Sequence, residues 1–312
     1  MTLHEDDLDL GLDLVRALVD ATLPDLAALP LRPLEARGSS NALFRLGDDL
    51  LVRLPRQPGG SATIEKEARW LPQLARHLPV AVPEIVAVGP PQLGYPERWS
   101  VVRWIEGHTP AVVTGPAATH QPCADLAWDL AAVVTALRAI EVPRPAHEDP
   151  ELRSYRGAAL TTRDDQMLRD LQACRGIPDV ELDLDGAAAL WDQAMCLPQD
   201  EPTTSWCHGD LFAENLLQRE GRLAAVLDFG ELSVGDPTVD LIVAWEVLDH
   251  ESRQLFRQAV GVDEPEWHRA RAWALSLALM TLPYYWTTMP DRCESRLAIA
   301  RAVLEDFQRV GS

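Results

Sequence analysis

Hydrophobic residues in the N-terminal third of the chain recur first at helical and then at strand spacing. Residues 8–19 carry apolar side chains every three or four positions, which predicts an amphipathic helix that ends before Pro24. Two short β-type runs, 42–46 and 50–54, flank a Gly-Asp-Asp turn sequence. This arrangement predicts a β-hairpin.

The same region supplies one more helix and two more strands. Residues 64–71 place Glu67 on the same helical face as the apolar side chains, so this carboxylate is predicted to face the core. Strands are predicted at 82–88 and 99–105, because turns rich in glycine and proline bound and separate them. Residues 1–106 therefore predict an α+β lobe of mainly antiparallel sheet with one packed helix.

From about residue 107 onward the hydrophobic spacing is mostly helical. Helices are predicted at residues 124–140, 164–174, 187–196, 239–248, 267–282 and 293–310. One interruption stands among them, since short apolar runs at 215–218 and 223–227 surround a turn and predict a second hairpin. The fold class is predicted to be α+β, with a mainly helical C-terminal lobe over residues 107–312.

One uncharged segment is long enough to raise the question of a membrane span. Residues 272–290 hold no charged side chain, but Pro283 is expected to break a helix near the middle of the segment. We expect a buried helix followed by a turn rich in Tyr and Trp, and no membrane partner. The acidic N-terminus is unlike a signal peptide. Five scattered cysteines without a C-x-x-C pair indicate a reducing, cytoplasmic setting.

The charge balance restricts the partners. A formal net charge of −20 repels phosphate backbones, so no nucleic acid partner is expected. The same charge attracts cationic small molecules, although many of these carboxylates are equally explained as groups that keep the surface soluble. Lys66 is the only lysine, and every other basic side chain except histidine is arginine.

The strongest chemical signal surrounds the second hairpin. His208 and Asp210 belong to a His-Gly-Asp sequence, Asn215 follows the aspartate after four intervening residues, and Asp228 opens an Asp-Phe-Gly sequence beyond the hairpin. This spacing is typical of phosphoryl transfer: Asp210 is predicted to be the catalytic base, and Asn215 and Asp228 to bind Mg²⁺. His208 is predicted to hydrogen-bond to the backbone and support the catalytic loop.

Each of these residues taken alone has another explanation. Asp210 could cap a helix, and Asp-Phe-Gly is a common tripeptide. His208 with Asp210 could also begin a hydrolytic metal site, but two ligands do not make such a site and no second histidine pair is nearby. Three polar positions at fixed spacing around one hairpin favour phosphoryl transfer.

The chain resembles the aminoglycoside phosphotransferase family, whose loop reads His-Gly-Asp rather than His-Arg-Asp. The similarity continues through residues 226–231 and 235–241 and covers nearly the whole chain. It implies a bilobal, protein-kinase-like fold and an O-phosphotransferase that moves the γ-phosphate of ATP or GTP to a small-molecule hydroxyl. An Ala-Pro-Glu segment is absent, which argues against a protein kinase. The resemblance makes Asp240 a structural residue.

The resemblance also implies contacts to the nucleotide. A phosphate-covering loop would consist of Gly38, Ser39, Ser40 and Asn41. Arg53 stands where a phosphate-binding lysine is expected and would pair with both Glu67 and the phosphates. Val102 would lie behind the base. The backbone carbonyl of Arg103 and the N–H of Ile105 would hydrogen-bond to the edge of the base.

The sequence leaves alternatives open. Arg53 could be an ordinary surface residue of its strand, and the protein could be a non-catalytic, nucleotide-binding pseudokinase. The acceptor could be an aminoglycoside, another antibiotic such as a macrolide, or a metabolic sugar or amino alcohol, because residues 145–200 carry no interpretable motif. If the acceptor is a hydroxylated cation, the candidate carboxylates are Glu231, Asp291 and Glu294.

Overall fold

A computed structural model of the protein describes residues 8–34, 40–113, 123–198 and 204–310. Packing divides the chain into two units. The first unit comprises Met1–Gly107 and Ala225–Gly230, and the second comprises His108–Ala224 and Glu231–Ser312. Each unit has its own secondary structure and its own buried side chains.

The first unit is built on a five-stranded sheet in the order β1-β2-β3-β5-β4, with antiparallel pairing throughout. The strands are β1 Leu31–Leu34, β2 Asn41–Leu46, β3 Leu50–Pro55, β4 Ile85–Gly89 and β5 Trp99–Arg103. The predicted antiparallel sheet is therefore confirmed. Strand β1 was not predicted; its Pro33, which lacks an N–H, is tolerated because β1 lies at the sheet edge.

Strand β3 separates the hydrophobic core from a polar face. Its alternate residues Leu50, Val52 and Leu54 are buried in a cluster that includes apolar side chains of helix α1, Leu12–Thr22. Arg53 points to the opposite face of the sheet, because successive strand residues alternate in direction. Helix α2, Ser61–Ala75, supplies the partner of Arg53 on that face.

Helix α1 begins later than the hydrophobic pattern predicts. The prediction started it at Leu8, but the helix starts at Leu12, and the Leu8 N–H donates to the Arg56 carbonyl at 2.7 Å. The apolar side chain of Leu8 packs against the same cluster without being helical. Leu8 is therefore packed in the apolar cluster, as the hydrophobic pattern predicted, although its backbone is not helical.

The second unit is mainly helical, as predicted. Its helices are α3 Ala124–Ala139, α4 Arg144–Glu148, α5 Asp164–Arg175, α6 Leu184–Met195, α7 Ala244–Val247, α8 His250–Val260, α9 Glu264–Tyr285 and α10 Pro290–Val310. Two small sheets occur within residues 205–235, one of β6 Ser205–Cys207 with β9 Ser233–Gly235 and one of β7 Leu216–Arg219 with β8 Arg222–Val226. The second pair is the predicted hairpin.

Two predicted helices differ in the structure. The helix predicted at 239–248 is a 3-10 helix, Pro237–Val243, followed by the single turn of α7, and α8 was not predicted. Helix α9 continues through Pro283 to Tyr285 instead of breaking there. Because Pro283 has no N–H, the Leu279 carbonyl loses its helical donor, and the Cys174 thiol donates to it at 3.6 Å.

None of the helices in the described ranges combines the length and the apolar character that crossing a membrane requires. Helix α9 is the longest of them, and buried charged side chains occur near its N-terminus. Its Arg271 donates to Asp306 of α10 at 2.7 Å, and the Trp267 indole donates to the same carboxylate at 3.3 Å. Both ionic side chains are at most 3% exposed.

We predict that Asp306→Ala lowers the free energy of unfolding by about 3 kcal/mol, because it leaves the Arg271 guanidinium buried with a single remaining carboxylate partner, Glu264. Chemical denaturation measures this loss. Glu305→Ala is the matched control, since it removes an exposed carboxylate at the preceding position of the same helix. A change of at most ~0.5 kcal/mol is expected there. Equal effects of the two substitutions would contradict a stabilising role of the buried pair.

Candidate active site

The His-Gly-Asp loop follows β6 directly, and its backbone is held in place by one buried carboxylate. Asp240, in the 3-10 helix, accepts the N–H of His208 and the N–H of Gly209, each at 2.7 Å. Gly209 has φ 79°, and a Cβ atom there would lie 2.7 Å from the carbonyl oxygen of Glu231. Glycine is therefore required at this position for both its backbone conformation and its size.

Hydrogen bonds from neighbouring residues fix the orientation of Asp210 in this loop. The amide nitrogen of Asn215 donates to the Asp210 carbonyl at 2.8 Å and to its Oδ2 at 3.0 Å. The Asp210 N–H donates to Nδ1 of His208 at 3.1 Å. His208 is fully buried and makes the type of backbone bond that the sequence suggested. Asn215 therefore holds the carboxylate of Asp210, and His208 holds its backbone N–H.

A third group, Arg156, binds the other oxygen of Asp210. Its Nη1 donates to Oδ1 of Asp210 and, at 3.1 Å, to the Gly209 carbonyl. Burial raises the pKa of Asp210, but the positive charge of Arg156 and further basic neighbours outweigh it and hold the pKa below its ordinary value. Asp210 is therefore ionised at neutral pH, the state in which a carboxylate can accept a proton.

Two further charged residues fix the loop from the side of the helices. Glu246 of α7 accepts the N–H of Ala213 at 2.5 Å and is bound by Arg296 of α10 at 2.7 Å. Burial raises the pKa of Glu246 to about 6, against the opposing effect of Arg296. The Arg296 guanidinium also lies 3.8 Å from the centre of the Phe212 ring. The backbone of the His-Gly-Asp loop is thus anchored at both ends.

The first unit contains a separate charged group around Arg53. The guanidinium forms two bonds to the Glu67 carboxylate, 2.9 Å from Nη1 to Oε2 and 3.3 Å from Nη2 to Oε1. Burial lowers the pKa of Arg53, but the carboxylates of Glu67 and Asp228 outweigh it and leave the pKa raised. Arg53 is buried, so the alternative of an ordinary surface strand residue is wrong.

Asp228 lies at the edge of this group. Its Oδ1 is 3.9 Å from Nη2 of Arg53 and accepts the N–H of Gly230 at 3.2 Å. The residue has φ 53°, a conformation that is uncommon outside glycine and is often found at functional sites. Its side chain is 39% exposed, so the carboxylate can reach a ligand in solvent.

The other predicted nucleotide residues belong to the same unit. Val102 is buried opposite Leu51, and this register places it on the face of the sheet that carries Arg53. At the end of β5, the Arg103 N–H donates to the backbone carbonyl of Glu84, and the Trp104 N–H donates to the backbone carbonyl of Asp49. Ile105 is the next residue in the chain.

The predicted phosphate-covering loop is only partly described. Ser40 is exposed and its carbonyl accepts the Arg56 N–H at 2.9 Å, while Asn41 begins β2. Gly38 and Ser39 lie outside the described residues.

The three carboxylates predicted to bind an acceptor have different environments. Glu231 adjoins the catalytic loop, but its Oε2 accepts the Ser154 hydroxyl at 3.0 Å. Asp291 and Glu294 are exposed on α10, the helix whose Arg292 binds Glu214 at 2.9 Å. The structure therefore associates Glu231 with the loop directly and the other two only through their helix.

The residues predicted to bind Mg²⁺ have suitable donor atoms. Asn215 uses its amide nitrogen for Asp210, so the amide oxygen, the atom that can bind a metal, is not involved in those bonds. Asp228 offers a partly exposed carboxylate. Within the described ranges no three His, Cys, Asp or Glu side chains form a metal site. Mg²⁺ that is held mainly by nucleotide phosphates needs only one or two protein ligands.

Sequence reasoning missed two residues of this site. Arg156 belongs to a segment without a recognisable motif, and an isolated arginine in a loop gives no signal of its contacts. Glu246 did give a signal, since it is the only charged residue in the apolar run 241–248. A lone carboxylate in such a run indicates a buried, hydrogen-bonded group.

The chain is similar to known proteins in sequence and in fold. Residues 31–273 match the sequence profile described as the phosphotransferase enzyme family. An aminoglycoside 3'-phosphotransferase of Escherichia coli is 29% identical over 83 residues, which is 26% of this chain. The chain therefore matches only about a third, 31%, of the length of that curated relative.

Two solved structures resemble the fold over nearly its full length. The GDP complex of a wild-type aminoglycoside 2'-phosphotransferase-IIIa has a TM-score of 0.71 at 17% identity, over 96% of this chain and 100% of the other. A macrolide 2'-phosphotransferase from Brachybacterium faecium has a TM-score of 0.60 at 23% identity, over 93% and 97%. At such identities the likeness concerns the fold alone, and it confirms the predicted kinase-like fold.

The family profile begins in β1 and ends within α9, so it includes the Arg53 group and the catalytic loop. It covers well over half of the 312 residues. The chain therefore belongs to the phosphotransferase enzyme family, which confirms the resemblance noted in the sequence.

Proposed function

We propose that this protein transfers the γ-phosphate of ATP or GTP to a hydroxyl group of a small molecule. The observation that carries the proposal is the bonding of Asp210, whose two carboxylate oxygens are held by Arg156 and Asn215 in a loop fixed by Asp240. An ionised carboxylate in a fixed orientation is what a phosphoryl-transfer enzyme needs to receive the proton of an acceptor hydroxyl.

The proposed reaction has one chemical step. The acceptor oxygen forms a bond to the γ-phosphorus, while the bond from that phosphorus to the bridging oxygen breaks and its electrons remain on the nucleoside diphosphate. The acceptor proton passes to the Asp210 carboxylate. Positioning and charge stabilisation supply most of the rate acceleration in such reactions, so the fixed orientation of Asp210 matters more than its basicity.

Arg53, Glu67 and Asp228 are proposed to act on the nucleotide. Glu67 holds the Arg53 guanidinium at two points, so little further ordering is needed when phosphate oxygens bind to it. Asn215 and Asp228 are proposed to bind Mg²⁺, which, when bound, offsets the negative charge of the phosphates. We propose that the phosphates are contacted by the loop of Gly38, Ser39, Ser40 and Asn41. The backbone at residues 103–105 is proposed to contact the base.

We further propose that the acceptor is an aminoglycoside or a macrolide, and that the biological role is antibiotic resistance in the cytoplasm. The support is family membership together with relatives whose names carry these two substrates, and solved complexes of such relatives contain kanamycin or gentamicin. The net charge of −20 favours a polycationic aminoglycoside. An aromatic pair, exposed Tyr284 with half-buried Tyr285 at 4.6 Å between ring centres, favours a large apolar macrolide instead.

The proposal is tested by measuring nucleotide consumption with ATP and with GTP against a panel of aminoglycosides, macrolides, sugars and amino alcohols. Transfer of phosphate to a hydroxyl, identified by mass spectrometry of the product, is the expected result. Nucleotide binding without turnover on any acceptor would favour the pseudokinase alternative. If turnover occurs only with sugars or amino alcohols, the antibiotic part of the proposal fails.

We predict that Asp210→Asn lowers kcat by about 10²–10⁴-fold, the range for loss of a positioned general base. An asparagine retains one oxygen, so it can accept a bond from Arg156 or from Asn215 but not from both. Nucleotide binding, followed by thermal shift, should persist. Asp192→Asn, an exposed position on α6, is the control and should keep wild-type kcat. A kcat within a few-fold of wild type for Asp210→Asn would exclude this residue as the base.

For Arg53→Lys we expect the nucleotide KM to rise by about 10-fold or more. The two charge-assisted bonds from Arg53 to Glu67, of ~1.5–3 kcal/mol each, depend on the guanidinium geometry. Steady-state kinetics with varied nucleotide measures this KM. Arg32→Ala, an exposed change on strand β1, should have no effect. If Arg53→Lys is silent while Lys66→Ala raises KM, the only lysine is the phosphate ligand instead.

Asn215→Ala and Asp228→Ala are each expected to raise the Mg²⁺ concentration that gives half-maximal turnover, since each removes an oxygen donor from the proposed metal site. Titration of activity with Mg²⁺ after removal of bound metal by EDTA gives this value. Asp192→Ala should leave it unchanged. Unaltered Mg²⁺ dependence in both variants would contradict the assignment of these two ligands.

A further inference from the structure

Residues 154–157 form a short segment, here called the strap, that contacts the catalytic loop on one side and β9 on the other. Its arginine, Arg156, binds Asp210 and the Gly209 carbonyl. The strap belongs to the part of the chain between α4 and α5, where the sequence shows no motif. All of its contacts described below lie within the second unit.

The strap is fastened by bonds that do not involve Asp210. The Ser233 hydroxyl donates to the Arg156 carbonyl at 2.6 Å, and the Asp236 N–H donates to the Gly157 carbonyl at 2.7 Å. On the other side of Arg156, the Ser154 hydroxyl donates to Glu231 at 3.0 Å. The strap is therefore held to the segment 231–236 through the Arg156 and Gly157 carbonyls and the Ser154 side chain, independently of the Arg156 guanidinium.

The guanidinium itself is oriented by a second side chain. Nε of Arg156 donates to the Tyr155 hydroxyl at 2.8 Å, while Nη1 spans the Gly209 carbonyl and the Asp210 carboxylate. A planar guanidinium held at two ends has little freedom to rotate. Burial lowers the pKa of Arg156, but the carboxylate of Asp210 and the other groups around it outweigh this and leave it raised, so the charge is permanent.

We propose that Arg156 is a positioning residue that sets the orientation of the Asp210 carboxylate. Asn215 binds Oδ2 and Arg156 binds Oδ1, and a carboxylate bound at both oxygens cannot rotate freely about its Cβ–Cγ bond. The inference rests on the proposed function, because it assigns a role to a neighbour of the proposed base.

The contact does not close Asp210 to an acceptor. Each carboxylate oxygen has two lone-pair directions, so a hydroxyl can bond to an oxygen that already accepts one hydrogen bond. The side chain of Asp210 is 20% exposed despite its bonds to Arg156 and Asn215. Arg156 therefore fixes the base in place while part of the carboxylate stays accessible.

Gly209 makes this arrangement possible. A Cβ atom at position 209 would lie 3.4 Å from Cβ of Arg156 and only 2.7 Å from the Glu231 carbonyl oxygen. A larger residue between His208 and Asp210 would therefore clash with the Glu231 carbonyl oxygen and lie in direct contact with Arg156. The arginine of a His-Arg-Asp loop is absent here, and a guanidinium reaches the catalytic aspartate from a distant part of the sequence.

Other arginines near the loop have different partners. Arg296 is bound to Glu246 and Glu214 and lies over the Phe212 ring. Arg163 lies 3.7 Å from Asp170 and over the Tyr155 ring. Arg156, in contrast, donates to the Asp210 carboxylate, which makes it the residue to test.

The test compares wild type with Arg156→Ala, Arg156→Lys and the control Arg153→Ala. Arg153 is an exposed arginine beside the strap that donates to the His147 carbonyl at 3.4 Å. We expect kcat of Arg156→Ala to fall by about 10²-fold, the loss typical of a misplaced catalytic group, with the nucleotide KM unchanged. Arg156→Lys should retain an intermediate kcat, because it keeps the charge without the bond to Tyr155. Arg153→Ala should equal wild type.

Crystal structures of wild type and Arg156→Ala provide a readout that does not depend on turnover. The loop backbone should stay in place, since Asp240 and Glu246 hold it, while the Asp210 carboxylate adopts a different or a second rotamer. An unchanged Asp210 side chain would overturn the proposal, even if no acceptor were ever found. A wild-type enzyme inactive on every acceptor would instead refute the proposed function, so the two failures are distinguishable.

Kinetic outcomes can also overturn the inference. A higher kcat in Arg156→Ala would mean that the arginine blocks the base. A raised nucleotide KM with little loss of kcat would make Arg156 a phosphate ligand.

Discussion

The candidate active site depends on one buried carboxylate, Asp240, that accepts two consecutive backbone N–H groups of the His-Gly-Asp loop. Two such bonds fix the direction in which the chain leaves β6, and Gly209 with its positive φ completes the turn. The position of Asp210 follows from this constraint. Without it, the bonds from Asn215 and Arg156 would have no defined carboxylate to meet, because a loop of this length has many backbone conformations.

Burying several carboxylates so close together is costly unless each of them is paired. Asp210 is bound by Arg156, Glu246 by Arg296, and Asp240 by backbone N–H groups. These partners come from a loop, a C-terminal helix and the catalytic loop itself. The helical unit thus positions arginines next to the acidic residues around the His-Gly-Asp loop.

The buried charge of Arg53 in the first unit is also paired, in this case with the carboxylate of Glu67. A guanidinium bound at two points by Glu67 keeps a permanent charge and a fixed plane, which a lysine ammonium in the same place would not have. The use of arginine instead of lysine therefore preserves the charge and increases the geometric definition of the group. Asp228, next to it, stays partly exposed and in a left-handed conformation.

The sequence by itself determined the features that depend on local spacing. Alternating apolar residues defined β2 and β3, helical spacing defined most of the long helices, and the spacing of Asp210, Asn215 and Asp228 around a hairpin indicated phosphoryl transfer. Local pattern was misleading where the backbone responds to distant partners, as at Pro283, where the Cys174 thiol supplies the missing donor. The contacts of Arg156 with Asp210 and of Glu246 with Arg296 join residues 54 and 50 positions apart. Only the tertiary structure decided these pairs, because the energy of a buried ion pair depends on which charges meet in space and not on their order along the chain.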